Sequence, residues 1–244
     1  MLHVHYLEKE IKQKRDIVRQ QFISRAADIG DGTITQLSTE DLKLLFDLYD
    51  KTFLQGYFAC NFKGKLIFSL STKMTRAAGK TIVPKRIAQL KPEDVTYEIR
   101  IGVNFFFRYN ALGRDKVVSG IKTHDALEAL QIVFEHELCH LIEFYEFQSS
   151  SCKQDRFKMI AKNIFGHMDS YHHLPTEREI ANEKYGFKGG DTVTFEFEGQ
   201  AVRGIVNRIN KRATVMVPDE AGVYVDRQGR RYKKFYVPLI ALKK

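Results

Sequence analysis

Residues 125–147, DALEALQIVFEHELCHLIEFYEF, decide how this chain is read. Apolar residues recur at Leu127, Leu130, Phe134, Leu138, Leu141 and Tyr145, the three-to-four spacing of a helix. Asp125 with Glu128 three residues later predicts an N-cap and its partner, and Ser149-Ser150-Ser151 predicts the stop. Inside the segment stands His136-Glu137-Leu138-Cys139-His140, an HExxH pattern. Residues four apart on a helix lie one turn above each other, so two imidazoles can share one metal ion while the adjacent Glu reaches the attacking water. At about 100° per residue, Leu127, Leu130, Val133, Phe134, Leu141 and Phe144 form one apolar arc. Glu128, Glu135, Glu143 and Glu146 are expected on the opposite, solvated side, whereas Glu137 falls inside the arc. A carboxylate aimed into a core costs several kcal/mol unless something there pairs with it. A metal centre is such a partner, and zinc is the expected ion.

Composition sets the frame. The 244 residues suffice for one large or two smaller domains, and 43% hydrophobic content is enough for a core. No apolar run is long enough to span a bilayer, and the opening MLHVHYLEKEIKQKR is charged, unlike a secretory leader. Three cysteines, Cys60, Cys139 and Cys152, make no disulfide framework, so a reducing, cytoplasmic setting is expected. The net charge of +9 is uneven: residues 184–244 hold 13 Lys and Arg against 6 Asp and Glu. That excess points to a polyanionic partner such as nucleic acid.

Along the chain, residues 6–27 predict a charged helix with a thin stripe of Leu7, Ile11, Val18 and Phe22, docked on its own domain. Ser38-Thr39-Glu40-Asp41 starts a second helix. Residues 66–71 predict a strand, 75–79 a small-residue turn and 97–107 another strand. Helix, strands and then the HExxH helix is an α+β order. After a linker, residues 193–198, 203–209, 213–217, 224–225 and 234–237 predict short strands that close a small all-β barrel.

Four ordered blocks then carry a resemblance: LFDLYDKTFLQGYF (45–58), SLSTKMTRAAGKT (69–81), EIRIG (98–102) and HELCH (136–140). Together they resemble the SprT-like metalloproteases, which include the DNA–protein-crosslink protease Spartan. The resemblance implies a zincin-like hydrolase domain over residues 37–175, preceded by a helical extension at 1–36. It also implies an edge strand bordering the substrate cleft, expected to be residues 66–71. Residues 191–244, after a linker at 176–190, resemble SH3-like barrels of the KOW or Tudor kind.

The chain departs from the family at the third ligand. An HGxxF block usually supplies a His there, but Lys153 stands in its place before Gln154-Asp155-Arg156-Phe157. His167 is the expected replacement, with Cys152 as the alternative; His172, His173 and Asp155 are weaker candidates. Glu137 is expected as general base on a protein substrate, with His136 and His140 as zinc ligands. The rival reading is a non-catalytic, zinc-containing adaptor that binds nucleic acid or protein. For single-stranded DNA or another nucleic acid, Arg208, Lys211, Arg212, Arg230, Arg231 and Lys233 are the candidate contacts, interleaved with Tyr224, Tyr232, Phe235 and Tyr236.

Overall fold

A computed structural model describes residues 4–26 and 29–244. Position 27, the last of the first expected helix, lies outside them. The chain is mixed α+β and divides into two compact units, Met1–Leu174 and Pro175–Lys244.

The first unit opens with α1 (Glu8–Ile23), α2 (Thr39–Phe53) and α3 (Tyr57–Asn61). Strands β1 (Lys65–Ser71), β2 (Gly79–Ile82) and β3 (Thr96–Gly102) follow, then the one-turn α4 (Asn104–Phe107). A hairpin of β4 (Lys116–Val118) and β5 (Ile121–Thr123) leads into α5 (Ala126–Phe147) and α6 (Asp155–Phe165). The sheet order is β1-β3-β2, with β1 parallel and β2 antiparallel to the central strand. Its inner face packs on α2 and α5 through Phe68, which meets Phe46 and Phe134. The expected strand over 97–107 stops at Gly102, because Val103 turns the chain into α4.

Helix starts follow the sequence signals. Ser38 caps α2 by accepting from the Asp41 N–H at 3.0 Å, and Asp41 reaches back to the Ser38 N–H at 2.8 Å. Asp125 caps α5 by accepting from the Glu128 N–H at 2.9 Å. The α5 helix ends at Gln148, in the left-handed conformation, rather than in the serine run. Helix α1 is part of the core: Ile11, Val18 and Phe22 are buried against the same cluster as α2 and α5.

Helix α5 is buried over most of its surface, which corrects the expected side at Glu135 and Glu143, while Glu146 is exposed and Glu128 half-exposed as expected. Glu135 and Glu143 have no exposed side-chain surface and Glu137 is 3% exposed. Glu135 accepts two hydrogen bonds from the Arg15 guanidinium, 2.7 and 2.6 Å, one from the Tyr49 hydroxyl and one from His167 Nε2–H. Burial works to raise this carboxyl's pKa, and Arg15 with His167 outweighs it, leaving it below its ordinary value. Glu143 accepts from Arg156 Nε at 2.7 Å and from the Ser150 hydroxyl at 2.5 Å. Arginines from α1 and α6 thus bring the compensation that spacing along α5 could not reveal.

The second unit begins with α7 (Glu177–Tyr185), inside the segment expected to be a linker. Thr176 and Glu179 form its capping box, and Ala181 joins the core of this unit. Strands β6 (Thr192–Phe197), β7 (Gln200–Ile209), β8 (Arg212–Pro218), β9 (Tyr224–Val225) and β10 (Arg231–Pro238) form one antiparallel sheet, order β6-β7-β8-β10-β9. No helix among the described residues is long and apolar enough to cross a membrane.

Removing Arg15 leaves a buried carboxylate without its counter-ion. Arg15→Ala is expected to destabilise the first unit by about 3 kcal/mol, read from its urea transition. In the second unit, some desolvation raises the Asp226 pKa, but N–H groups of Arg230 and Gln228 and the Arg230 guanidinium hold it down at about 2. A depressed folded value means that this stabilisation is full above the unfolded pKa of about 3.9 and is lost as pH falls through the folded one. The amide resonances of Gln228 and Arg230 are therefore expected to titrate with a midpoint near pH 2.

Candidate metal centre

The two imidazoles of the HExxH pattern meet on α5. His136 Nε2 and His140 Nε2 are 3.2 Å apart. Two zinc–nitrogen bonds of ordinary length at a tetrahedral angle separate their nitrogens by about 3.3 Å. Burial drives the pKa of His136 down to about 3 and that of His140 down to about 4. Both rings are therefore neutral at physiological pH, the form that offers a lone pair.

A hydrogen-bond chain fixes which nitrogen of His140 is bare. Ser150 gives its proton to Glu143 Oε2, so its oxygen accepts from His140 Nδ1–H at 2.6 Å. The proton sits on Nδ1, and Nε2 keeps its lone pair toward His136. Arg156 holds Glu143 from the other side, so Ser150, Glu143 and Arg156 together set the ring's tautomer and direction. The ring of Phe157, from α6, packs against both imidazoles at 4.9 and 4.5 Å.

Cys152 is placed to be a third donor. Its Sγ lies within 4.8 Å of both histidine nitrogens, and His136, His140 and Cys152 are the only such group among the described residues. Two imidazoles and a thiol suit zinc, a borderline-soft ion, and leave one position open in a tetrahedral shell. The donor set and the nitrogen spacing therefore fit the ion.

His167, the expected third ligand, goes elsewhere. It is 4% exposed and donates Nε2–H to Glu135 at 2.9 Å, so α6 carries it to the α1 side of α5. His172 donates Nε2–H to the Arg76 carbonyl at 2.9 Å and rests on Phe105; His173 is exposed. Asp155 is fully exposed at the start of α6, and Lys153 also faces solvent. The turn before α6 presents residue 152 to the histidines, one position earlier than the family pattern implies.

Glu137 differs from the other two buried glutamates of α5. Its only side-chain partner among the described residues is Thr81, whose hydroxyl lies 2.8 Å from Oε2 and 3.0 Å from Glu137's own carbonyl. No cation among the described residues forms an ion pair with it, and burial raises its pKa to about 7 against the opposing pull of Thr81 and the more distant charge of Lys80. Gly79 makes room for it, since a Cβ there would lie 2.6 Å from Oε1 and 2.7 Å from Cγ. Both residues belong to β2, which sequence reading took partly for a turn. A four-residue strand containing Gly and Lys has no readable period. The signal that could have found it is the Gly79-Lys80-Thr81 step itself, a residue without a side chain two positions from a hydroxyl on the same face.

Strand β2 is also the sheet edge at this site, in place of the expected residues 66–71, because β1 lies at the other end of the sheet and β2 packs on α5. The Ala78 carbonyl accepts from the Gly102 N–H, so alternation turns the backbone groups of Gly79 and Thr81 away from β3, where the Thr81 N–H also meets the Glu137 carboxylate.

The basic candidates of the second unit fall into two sets. Arg230 pairs with Asp226 and Lys233 with Asp219, both at 2.7 Å, and Arg231 donates to the Gly222 carbonyl. Arg208, Lys211 and Arg212 are exposed, with no described ion pair. Comparison with protein-family models, curated proteins and solved structures finds no match.

If Cys152 is a ligand, Cys152→Ser is expected to lower zinc affinity at least about 100-fold, while Lys153→Ala leaves it unchanged. Ser150→Ala, which frees the His140 ring, is expected to cost about 10-fold or more. Competition against a chromogenic chelator measures all three.

Proposed function

We propose that this chain is a zinc-dependent metallopeptidase of the SprT-like kind. In this reading the first unit is a zincin-like hydrolase domain and the second an SH3-like barrel. The observation that carries it is Glu137: a buried carboxylate with no cation, poised near neutral pH, one residue from an imidazole pair that shares its opening with a thiol. A structural glutamate in this helix is neutralised by arginine, as Glu135 and Glu143 are.

His136, His140 and Cys152 would hold the ion. When bound, zinc supplies Lewis acidity and lowers the pKa of water to about 7. Glu137 takes a proton from the attacking water and returns it to the leaving amine, a role its raised pKa suits. Thr81 holds Glu137 Oε2, and the absent side chain at Gly79 leaves the carboxylate space to move. The outward backbone groups of Gly79 and Thr81 bind an extended peptide as an added strand, which places a carbonyl beside Glu137. The basic charge of the chain supports proteins associated with nucleic acid as substrates.

Glu137→Gln is expected to retain zinc near one ion per chain and to lower casein or histone digestion by at least about 100-fold. Metal analysis beside the digestion assay checks both halves. Equal digestion by variant and wild type would sink the mechanism, and a metal-free wild type would sink the zinc.

A further inference from the structure

The register of the second unit sorts its side chains onto two faces. Val193, Phe195, Val206, Ala213, Val215 and Val237 point into the core. The opposite face follows from the strand partners. Ile205 lies beside Met216, and Met216 beside Lys234. Past the bulge at 206–208, Arg208 lies beside Thr214, and Thr214 beside Tyr236. Arg203, two residues before Ile205, shares their side. Loop 219–230 brings Tyr224 to the same face, where the Lys234 ammonium stands 4.3 Å from its ring centre and 5.3 Å from that of Tyr236.

This outer face combines two features. Its rings are open, with Tyr236 61% and Tyr224 40% exposed, and Ile205 beside them is 40% exposed. Arg203 and Arg208 make no described ion pair, unlike Arg230, Lys233 and Lys244 with their aspartates, and Lys234 is held between the two tyrosines. Lys211 and Arg212 extend the charge at the β7–β8 turn.

We propose that the outer face of β7, β8, β10 and β9 binds single-stranded nucleic acid. Arg203 and Arg208, with Lys211 and Arg212 at the turn, take successive phosphates. Bases stack on Tyr236 and flank Tyr224, while Lys234 holds the two rings in place and adds a charge beside them. Stacking selects an unpaired strand, because the bases of a duplex already stack on each other and show a side chain only their edges. Three of the six cations that the charge pattern suggested belong to this face, Arg208 on the platform and Lys211 and Arg212 at its end, whereas Arg230 and Lys233 are tied to carboxylates and Arg231 to a backbone carbonyl.

The proposal deepens the nucleic-acid part of the reading above and does not depend on the metal centre. The test uses the full chain and fluorescence anisotropy of labelled oligothymidine and oligouridine fifteen-mers across a salt series. Binding is expected to weaken with salt, with Tyr236→Ala losing about 10-fold or more and Tyr236→Phe retaining wild-type affinity. Replacing Arg203 and Arg208 together by Ala is expected to reduce the salt slope by about 1.4. Arg230→Ala and Lys233→Ala are expected to change neither quantity. A preference between the two oligomers identifies DNA or RNA as the strand and supports the platform either way. Wild-type affinity in Tyr236→Ala, equal affinity for a duplex of the same length, or full displacement by polyglutamate would each overturn it. Failure of peptide digestion with oligomer binding intact would remove the peptidase reading and leave this one standing.

Discussion

An uncompensated charge in a core costs several kcal/mol, and α5 carries three buried carboxylates, Glu135, Glu137 and Glu143. That constraint organises the first unit. Glu135 draws in Arg15, Tyr49 and His167, which ties α1, α2 and the end of α6 to the central helix. Glu143 draws in Arg156 and Ser150, which ties down the turn before α6. The same turn carries Cys152, so the ion pair that satisfies Glu143 also delivers the third donor to the histidine pair. Truncating one partner of such a pair costs far more than the pair contributes in itself, since it leaves a charge in the core.

Glu137 stands out against these two. It has the burial of its neighbours without their counter-ion, and that burial raises its pKa well above the usual carboxylate range. The two residues that make this possible lie on a strand too short to announce itself. Thr81 supplies one hydroxyl and Gly79 supplies space. The strand that shapes the carboxylate is also a sheet edge, so the support of Glu137 and that edge come from one element.

The second unit works by a different economy. Short strands give every side chain one of two sides, and the core takes aliphatic residues together with Phe187 and Phe195. What is left on the outside is not generic surface, because exposed tyrosines lie among unpaired cations. Elsewhere in the same unit, aspartates neutralise Arg230, Lys233 and Lys244, whereas Arg203 and Arg208 lie on this face with no described ion pair.

By itself, the sequence determined the local features: α5 and its cap at Asp125, the i and i+4 imidazoles, the start of α2 at Ser38, and the alternating strands after residue 190. Each depends on residues a few positions apart, where helical and strand periods are directly legible. Only the tertiary structure decided what depends on distant partners. Glu135 and Glu143 read as solvated because their arginines lie 120 and 13 residues away. His167 read as a ligand because spacing cannot say which side of α5 it reaches, and Cys152 was favoured less because the pattern marks position 153. The supposed linker hid a helix whose burial comes from a core formed later in the chain. Periodicity reports which face of an element is apolar; it cannot report which charge arrives from across the fold to make a polar group at home there.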